Sequence, residues 1–301
     1  MTGVLFFYHG CNRSAASFFY SPQGRDMMLL ALQSGFTVVA FEKPNTCWSE
    51  RDLESTFQMG AEWLEHYLLP HCGARNSDRE VVYKIPRFGF GASSGGSFVA
   101  LMGEKTQSTN TSYGNKIHFT ATNVQIMAPS NGNSITIPTL FTVMDGDRHT
   151  LQRVNQISST LQQKGVPTKV LVTHSKAITP EYFAARFEEM PDTISSMIST
   201  TLVETSIIDK DTKELIVNPR WKAAEIEEIC RKYNIYNQGP FPYGIDKDVW
   251  NVLTPDEQKD AWTLWFIEEL NVCYNQHEIT AEYFDEILQF FILQSESVNV
   301  K

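Results

Sequence analysis

Apolar and polar positions alternate in blocks along the first 178 residues. Short apolar runs rich in β-branched and aromatic residues predict buried strands, and longer segments with apolar residues three or four apart predict helices. The predicted strands cover residues 4–8, 36–41, 86–92, 123–127, 139–144 and 169–173, and the predicted helices cover 25–33, 51–69, 97–102 and 150–164. This alternation predicts a mostly parallel central sheet with helices on both faces.

The pattern changes after about residue 178. Two helical stretches (180–203) and two short apolar runs (206–209, 214–218) are followed by predicted helices at 220–233, 255–270 and 280–293. We therefore predict three parts: a core over 1–178, a mostly helical insertion or lid over 179–270, and a segment over 271–301 that ends in the last core helix. We expect the insertion to have no independent core.

Composition and charge exclude several classes of protein. Of 301 residues, 42% are hydrophobic, which is enough for a large core and excludes a mainly disordered chain. With 25 Lys and Arg against 35 Asp and Glu, the net charge is −10, so a nucleic-acid partner is not expected. There is no run of about 18 apolar residues that would predict a membrane-spanning helix.

The pattern of cysteines indicates the redox state of the cellular compartment. Cys11, Cys47, Cys72, Cys230 and Cys273 are odd in number and scattered, and no pair has CxxC spacing. This pattern predicts neither a zinc site nor a disulfide framework. Because the N-terminal residues also lack the pattern of a signal peptide, we expect a reduced, cytoplasmic protein.

One motif predicts a nucleophile. Gly91-Ala92-Ser93-Ser94-Gly95 matches G-x-S-x-G, between a predicted strand and a predicted helix. In α/β-hydrolases this sequence forms a strained turn that exposes a nucleophilic serine, and the glycines are needed because side chains at their positions would clash. The alternative is an ordinary turn rich in glycine and serine. The context favours Ser93 as the nucleophile.

A second motif predicts an oxyanion hole. His9-Gly10-Cys11-Asn12 ends the first predicted strand, where α/β-hydrolases place a loop that donates one N–H to the oxyanion. The two donors would be the backbone N–H groups of Cys11 and Ser94, and His9, Gly10 and Asn12 would contact the substrate. The alternative is a strand-ending turn with a structural histidine.

The acid and the base have alternatives. Asp145 and Asp147 both follow the strand that ends at Met144, and the usual G-x-x-D spacing favours Asp147, with Met144 in the glycine position. Either aspartate could instead form the turn or cap the next helix. His174 directly follows the last predicted strand, whereas His277 precedes the final helix. The residues themselves leave both histidines open.

Five stretches carry a resemblance to a known group: HGCNRSAASFF, CWSE, FGASSGGSFVALM, ITPEYFAARF and ELNVCYNQHEIT. Together they resemble uncharacterised plant and algal proteins of the α/β-hydrolase fold over almost the whole chain. The resemblance implies that fold and the set Ser93, Asp147 and His277, the last in an HE(M/I)T element. It departs at the acid turn, MDGD instead of an MPKD-like string, so Asp145 stays an alternative. No substrate is implied.

These residues predict a carboxylesterase-like serine hydrolase. It would cleave a small-molecule ester or thioester through a Ser-His-Asp triad and an acyl-enzyme, without a metal or cofactor. The alternatives are a ligand- or partner-binding protein of the same fold and an acyltransferase or lyase that uses the same serine. Aromatic residues of the insertion could cover an apolar acyl group or pack the insertion onto the core, and we favour packing for most of them: Phe241, Tyr243, Trp250, Trp262 and Trp265.

Overall fold

A six-stranded parallel sheet forms the centre of the computed structural model, which describes residues 1–43, 46–68, 70, 84–108, 118–187, 190–233, 251–252 and 254–299. The strands are β1 (Gly3–Tyr8), β2 (Phe36–Phe41), β3 (Arg87–Ala92), β4 (Ala121–Gln125), β5 (Thr139–Met144) and β6 (Thr168–Thr173). They lie in the order β2-β1-β3-β4-β5-β6, and every neighbouring pair is parallel. Each predicted strand overlaps an observed one.

Helices cover both faces of the sheet. They are α1 (Ala15–Tyr20), α2 (Pro22–Gln33), α3 (Leu53–Trp63), α4 (Ser94–Ser108), α5 (Arg148–Gln163) and α10 (Phe284–Asn299). Successive side chains of a strand point to opposite faces, so Phe6 packs with α3, α4 and α5, whereas Phe7 packs with α1, α2 and α10. This is the architecture of the α/β-hydrolase fold, and it confirms the predicted fold class.

The insertion has a hydrophobic core of its own. It contains α6 (Tyr182–Arg186), α7 (Asp192–Glu204), α8 (Ala223–Lys232) and α9 (Pro255–Tyr274). Side chains from all four helices form one buried cluster that includes Phe183, Ile198, Ile226, Trp262 and Phe266. The expectation that this region lacks an independent core was therefore wrong.

Among the described residues, every helix is too short or too polar to span a membrane.

Cys11 and Cys47 form a disulfide, with their Cα atoms 4.3 Å apart, so the prediction of no disulfide was wrong. The two residues are 36 positions apart, and no cysteine-spacing motif relates them. They meet because β1 and β2 pair in parallel with Tyr8 opposite Phe41, which brings the segments after both strands together. Disulfides are typical of oxidising compartments, so the cysteines no longer support a cytoplasmic location. Cys72 lies outside the described residues.

The strand order creates a crevice at the carboxyl edge of the sheet. The connection from β1 leads to β2 on one side, whereas β3 and the later strands extend on the other. Ligands of open α/β sheets bind at such a switch point, outside the carboxyl ends of the strands. The loops that follow β1 and β3 flank this point, and they contain the predicted oxyanion loop and Ser93.

Candidate active site

Ser93 lies on the tight bend between β3 and α4. Its φ is 54°, in the left-handed region that residues with side chains rarely adopt. A Cβ atom on Gly91 would lie 2.2 Å from the carbonyl oxygen of Gly95, and one on Gly95 would lie 2.0 Å from that of Tyr8. Only glycine fits at both positions, so the G-x-S-x-G segment has the strained strand–turn–helix geometry that its sequence predicts.

The imidazole of His277 lies between Ser93 and Asp147. The Nε2 atom of His277 is 3.1 Å from Ser93 Oγ, although the two residues are 184 positions apart. The Nδ1 atom of His277 is 3.5 Å from Asp147 Oδ2, at the long limit of a hydrogen bond. Asp147 also caps α5, because its Oδ1 accepts from the Thr150 N–H at 3.2 Å. Both functions considered for Asp147, acid and helix cap, are thus compatible.

The two alternative residues pair with each other. His174 Nδ1 lies 2.6 Å from Asp145 Oδ2, and the two side chains are 68% and 41% exposed. The other oxygen of Asp145 accepts from Asn275 Nδ2 at 2.6 Å. Neither His174 nor Asp145 is among the described residues that line the cavity at Ser93. The structure therefore brings His277, and not His174, to the serine.

The loop after β1 is held against the serine from two directions. His9 is buried; its Nε2 accepts from the Lys43 N–H at 3.0 Å, and its Nδ1 can then donate to the Gly10 carbonyl at 2.8 Å. The disulfide ties the same loop to Cys47. The ring of His9 thus links the backbone of the loop after β1 to that of the segment after β2.

The predicted oxyanion donors flank Ser93. Gly10 approaches so closely that a Cβ atom there would lie 3.4 Å from Ser93 Cβ, and Cys11 lines the cavity. Ser94 is the first residue of α4, where backbone N–H groups have no partner within the helix. Asn12, the third predicted substrate contact, is exposed and is not among the described residues that line the cavity.

The cavity at Ser93 is small, and its wall combines polar and apolar side chains. Its volume is about 240 Å³, and more of its lining surface is apolar than polar. The apolar side chains include Phe7, Ile126 and Ile279. Besides His9, Ser93 and His277, the polar ones are Arg13, Ser17, Ser21, Gln23, Arg220, Glu268 and Glu278. Trp262 and Trp265 are buried in the core of the insertion, where their rings lie 5.7 Å apart, so these two pack the insertion. Phe241, Tyr243 and Trp250 lie outside the described residues.

Four charged side chains of this wall form a network of ion pairs that the sequence did not predict. Arg13 lies 2.6 Å from Glu268 and 3.7 Å from Glu278, and Arg220 lies 2.7 Å from Glu278. Burial raises the pKa of Glu268 to about 7, against the opposing effect of Arg13. The only sequence signal was two acids, Glu268 and Glu269, in the otherwise apolar segment WFIEEL.

No group of three or more His, Cys, Asp or Glu side chains is placed to hold a metal ion within the described part of the chain. The charged side chains of the wall are paired with one another across the cavity.

Comparisons with known proteins found similarity in structure alone. Neither protein-family models nor curated proteins match the sequence. A dienelactone hydrolase from Anabaena variabilis is 19% identical over 68% of this chain and 86% of its own, with a TM-score of 0.38. A thermophilic esterase from Thermogutta terrifontis is 11% identical over 69% and 84%, with a TM-score of 0.42. Esterase PE8 is 12% identical over 66% and 93%, with a TM-score of 0.38. Similarities this distant assign no substrate to the chain.

Proposed function

We propose that the protein is a serine hydrolase that cleaves a carboxylic ester or thioester. One observation carries the proposal: the hydroxyl of Ser93, on a turn that only glycine neighbours permit, lies 3.1 Å from the Nε2 atom of His277. Asp147 stands behind the other ring nitrogen, as the acid of a triad does.

The reaction would proceed in two steps. His277 takes the proton from Ser93 as its oxygen attacks the carbonyl carbon, and the N–H groups of Cys11 and Ser94 stabilise the oxyanion. The alcohol or thiol then leaves with the proton from His277, which produces an acyl-enzyme. Water, deprotonated by His277, attacks the carbonyl carbon of the acyl-enzyme. The bond from this carbon to Ser93 Oγ then breaks, His277 returns the proton to Ser93, and the acid leaves. Asp147 keeps the proton of the neutral imidazole on Nδ1.

The cavity favours a small substrate with both an apolar and a polar part. Its volume of about 240 Å³ suits a short acyl group better than a long chain. Phe7, Ile126 and Ile279 offer apolar contacts, whereas a purely apolar substrate would leave the charged side chains of the wall without water.

A labelling and turnover experiment tests the proposal. We expect the wild type to react with a fluorophosphonate probe and to hydrolyse p-nitrophenyl acetate. Ser93→Ala should abolish labelling and lower kcat by at least about 10⁴-fold, and His277→Ala should have a similar effect on kcat. His174→Ala is the matched control, since its ring pairs with Asp145 instead, and it should keep wild-type activity.

Three results would contradict parts of this proposal. A wild type that neither labels nor hydrolyses any of a panel of esters and thioesters would favour the non-catalytic binding protein. Loss of activity in His174→Ala but not in His277→Ala would exclude the proposed base. Faster product formation in the presence of an alcohol acceptor, with transfer of the acyl group, would favour an acyltransferase.

A further inference from the structure

The loop that carries His277 has a backbone that needs support. Asn275 and His277 both have positive φ, at 57° and 52°, a conformation that persists in residues with side chains only where the surroundings hold it. Asn275 secures the start of the loop to β6: its Nδ2 donates to the Thr173 carbonyl at 2.8 Å, and its Oδ1 accepts from Thr173 Oγ1 at 2.6 Å. The segment after His277 is held by the Glu278 N–H, which donates to Met144 Sδ at 3.4 Å, and by the Thr280 N–H, which donates to Gln125 Oε1 at 3.2 Å. The carbonyl groups of residues 276 and 277 need a separate anchor.

Arg220 of the insertion provides that anchor. Its Nη2 atom donates to the carbonyl oxygen of His277 at 2.5 Å, and its Nη1 atom donates to that of Gln276 at 3.3 Å. The turn that carries Arg220 is itself attached to the loop, since Asn218 Nδ2 donates to Gln276 Oε1 at 3.1 Å. The guanidinium group therefore binds the backbone of the very residue whose imidazole faces Ser93.

The imidazole has little other restraint. The side chain of His277 is 40% exposed, and its bond to Asp147 is 3.5 Å long. Its ring position therefore depends strongly on where the backbone is held. A displacement of about 1 Å in a catalytic group can lower a rate by about 100-fold.

Arg220 also balances a buried charge beside the base. Its Nη2 atom lies 2.7 Å from an oxygen of Glu278, which is only 7% exposed and follows His277 directly. The other cation near this carboxylate, Arg13, is farther away at 3.7 Å and is already paired with Glu268 at 2.6 Å. Without Arg220, the buried carboxylate of Glu278 would have only this shared cation to offset its charge.

We infer that Arg220 is a positioning residue for His277. The inference rests on the proposed function. In this proposal the insertion contributes to catalysis, because its side chain Arg220 holds the loop that carries His277.

The experiment compares Arg220→Ala and Arg220→Lys with the wild type. Arg231→Ala is the matched control, an arginine of the same insertion that pairs with Glu228 on its own helix. A fluorophosphonate probe, taken to completion, counts the folded sites, and kcat per counted site and KM are measured for p-nitrophenyl acetate from pH 5 to 9. The charged groups around the imidazole are Asp147, Glu278 and Arg220, with Arg13 and Glu268 beyond them.

We expect Arg220→Ala to lower kcat per site by about 100-fold, with KM changed less than about threefold. Arg220→Lys should lower kcat by about 10-fold, because an ammonium replaces the charge but not the two-pronged contact. Arg231→Ala should match the wild type.

The inference is overturned if Arg220→Ala keeps kcat per site within twofold of the wild type. A fall in the number of labelled sites alone, with normal turnover per site, would show a purely structural role and would also overturn it. If Arg220→Ala does not fold, Arg220→Lys takes its place as the test. A kcat per site of Arg220→Lys within twofold of the wild type would then overturn the inference. A wild type without labelling or turnover would overturn the proposed function itself, and the positioning role with it.

Discussion

Breaking the disulfide between Cys11 and Cys47 should affect both stability and turnover. Cys47 is exposed and does not line the cavity, whereas Cys11 belongs to the loop with a proposed oxyanion donor. Cys47→Ser therefore removes the covalent link without changing any residue of the candidate site.

The expected losses follow from the position of the link. The two cysteines are 36 residues apart, and chain entropy assigns about 4 kcal/mol at 25 °C to closing a loop of that length. The loop keeps its hydrogen bond from the Lys43 N–H to His9 and stays near Ser93. Complete loss of one oxyanion donor costs about 10²–10³ in kcat, so loosening the loop should cost less, about tenfold.

Urea unfolding and turnover of p-nitrophenyl acetate, each with and without dithiothreitol, measure these losses. The reduced wild type should match Cys47→Ser. The reductant should leave Cys47→Ser unchanged because Cys230 and Cys273, the other cysteines of the described residues, are free thiols. Equal urea midpoints and equal kcat for the wild type and Cys47→Ser would refute the reasoning. A fall in stability with unchanged kcat would refute only the link to the oxyanion loop.

Two further predictions concern the elbow and the charged wall. Gly95→Ala should destabilise the protein by about 3 kcal/mol or more, because its Cβ atom would lie 2.0 Å from the Tyr8 carbonyl oxygen. Gly96→Ala should cost only about 1 kcal/mol, because its nearest contact would be at 3.0 Å. Equal thermal midpoints for the two variants would contradict this ranking. The raised pKa of Glu268, about 7 against 4.5, means that its stabilising contribution is complete below about pH 4.5 and is lost as the pH rises through 7. Relative to Glu268→Gln, the wild type should therefore lose up to about 3 kcal/mol of unfolding free energy over this range, and a constant difference between pH 4.5 and 8 would exclude the effect.

Local sequence was sufficient where the physics is local. The strands were predicted because burial on both faces requires an uninterrupted apolar run, as in residues 4–8, which lie within β1, where every residue is buried. The elbow was predicted because the steric demand at Ser93 falls on glycines only two positions away. In both cases the constraint and the residues that satisfy it lie within a few positions of each other.

The remaining features depend on which distant segments meet. From the residues alone, His174 and His277 were equivalent, and the resemblance favoured His277; only the path of the insertion places His277 at the serine and leaves His174 with Asp145. The disulfide was missed because its cysteines meet only through strand pairing, and Arg220 was missed because no spacing relates it to residue 277. Sequence by itself determined the elements, the fold class and the turn that presents the serine, since these follow from local periodicity and sterics. Tertiary structure decided the partners of the serine and the charges around them, because contacts between residues far apart in the chain depend on how strands and loops are placed and not on any pattern within them.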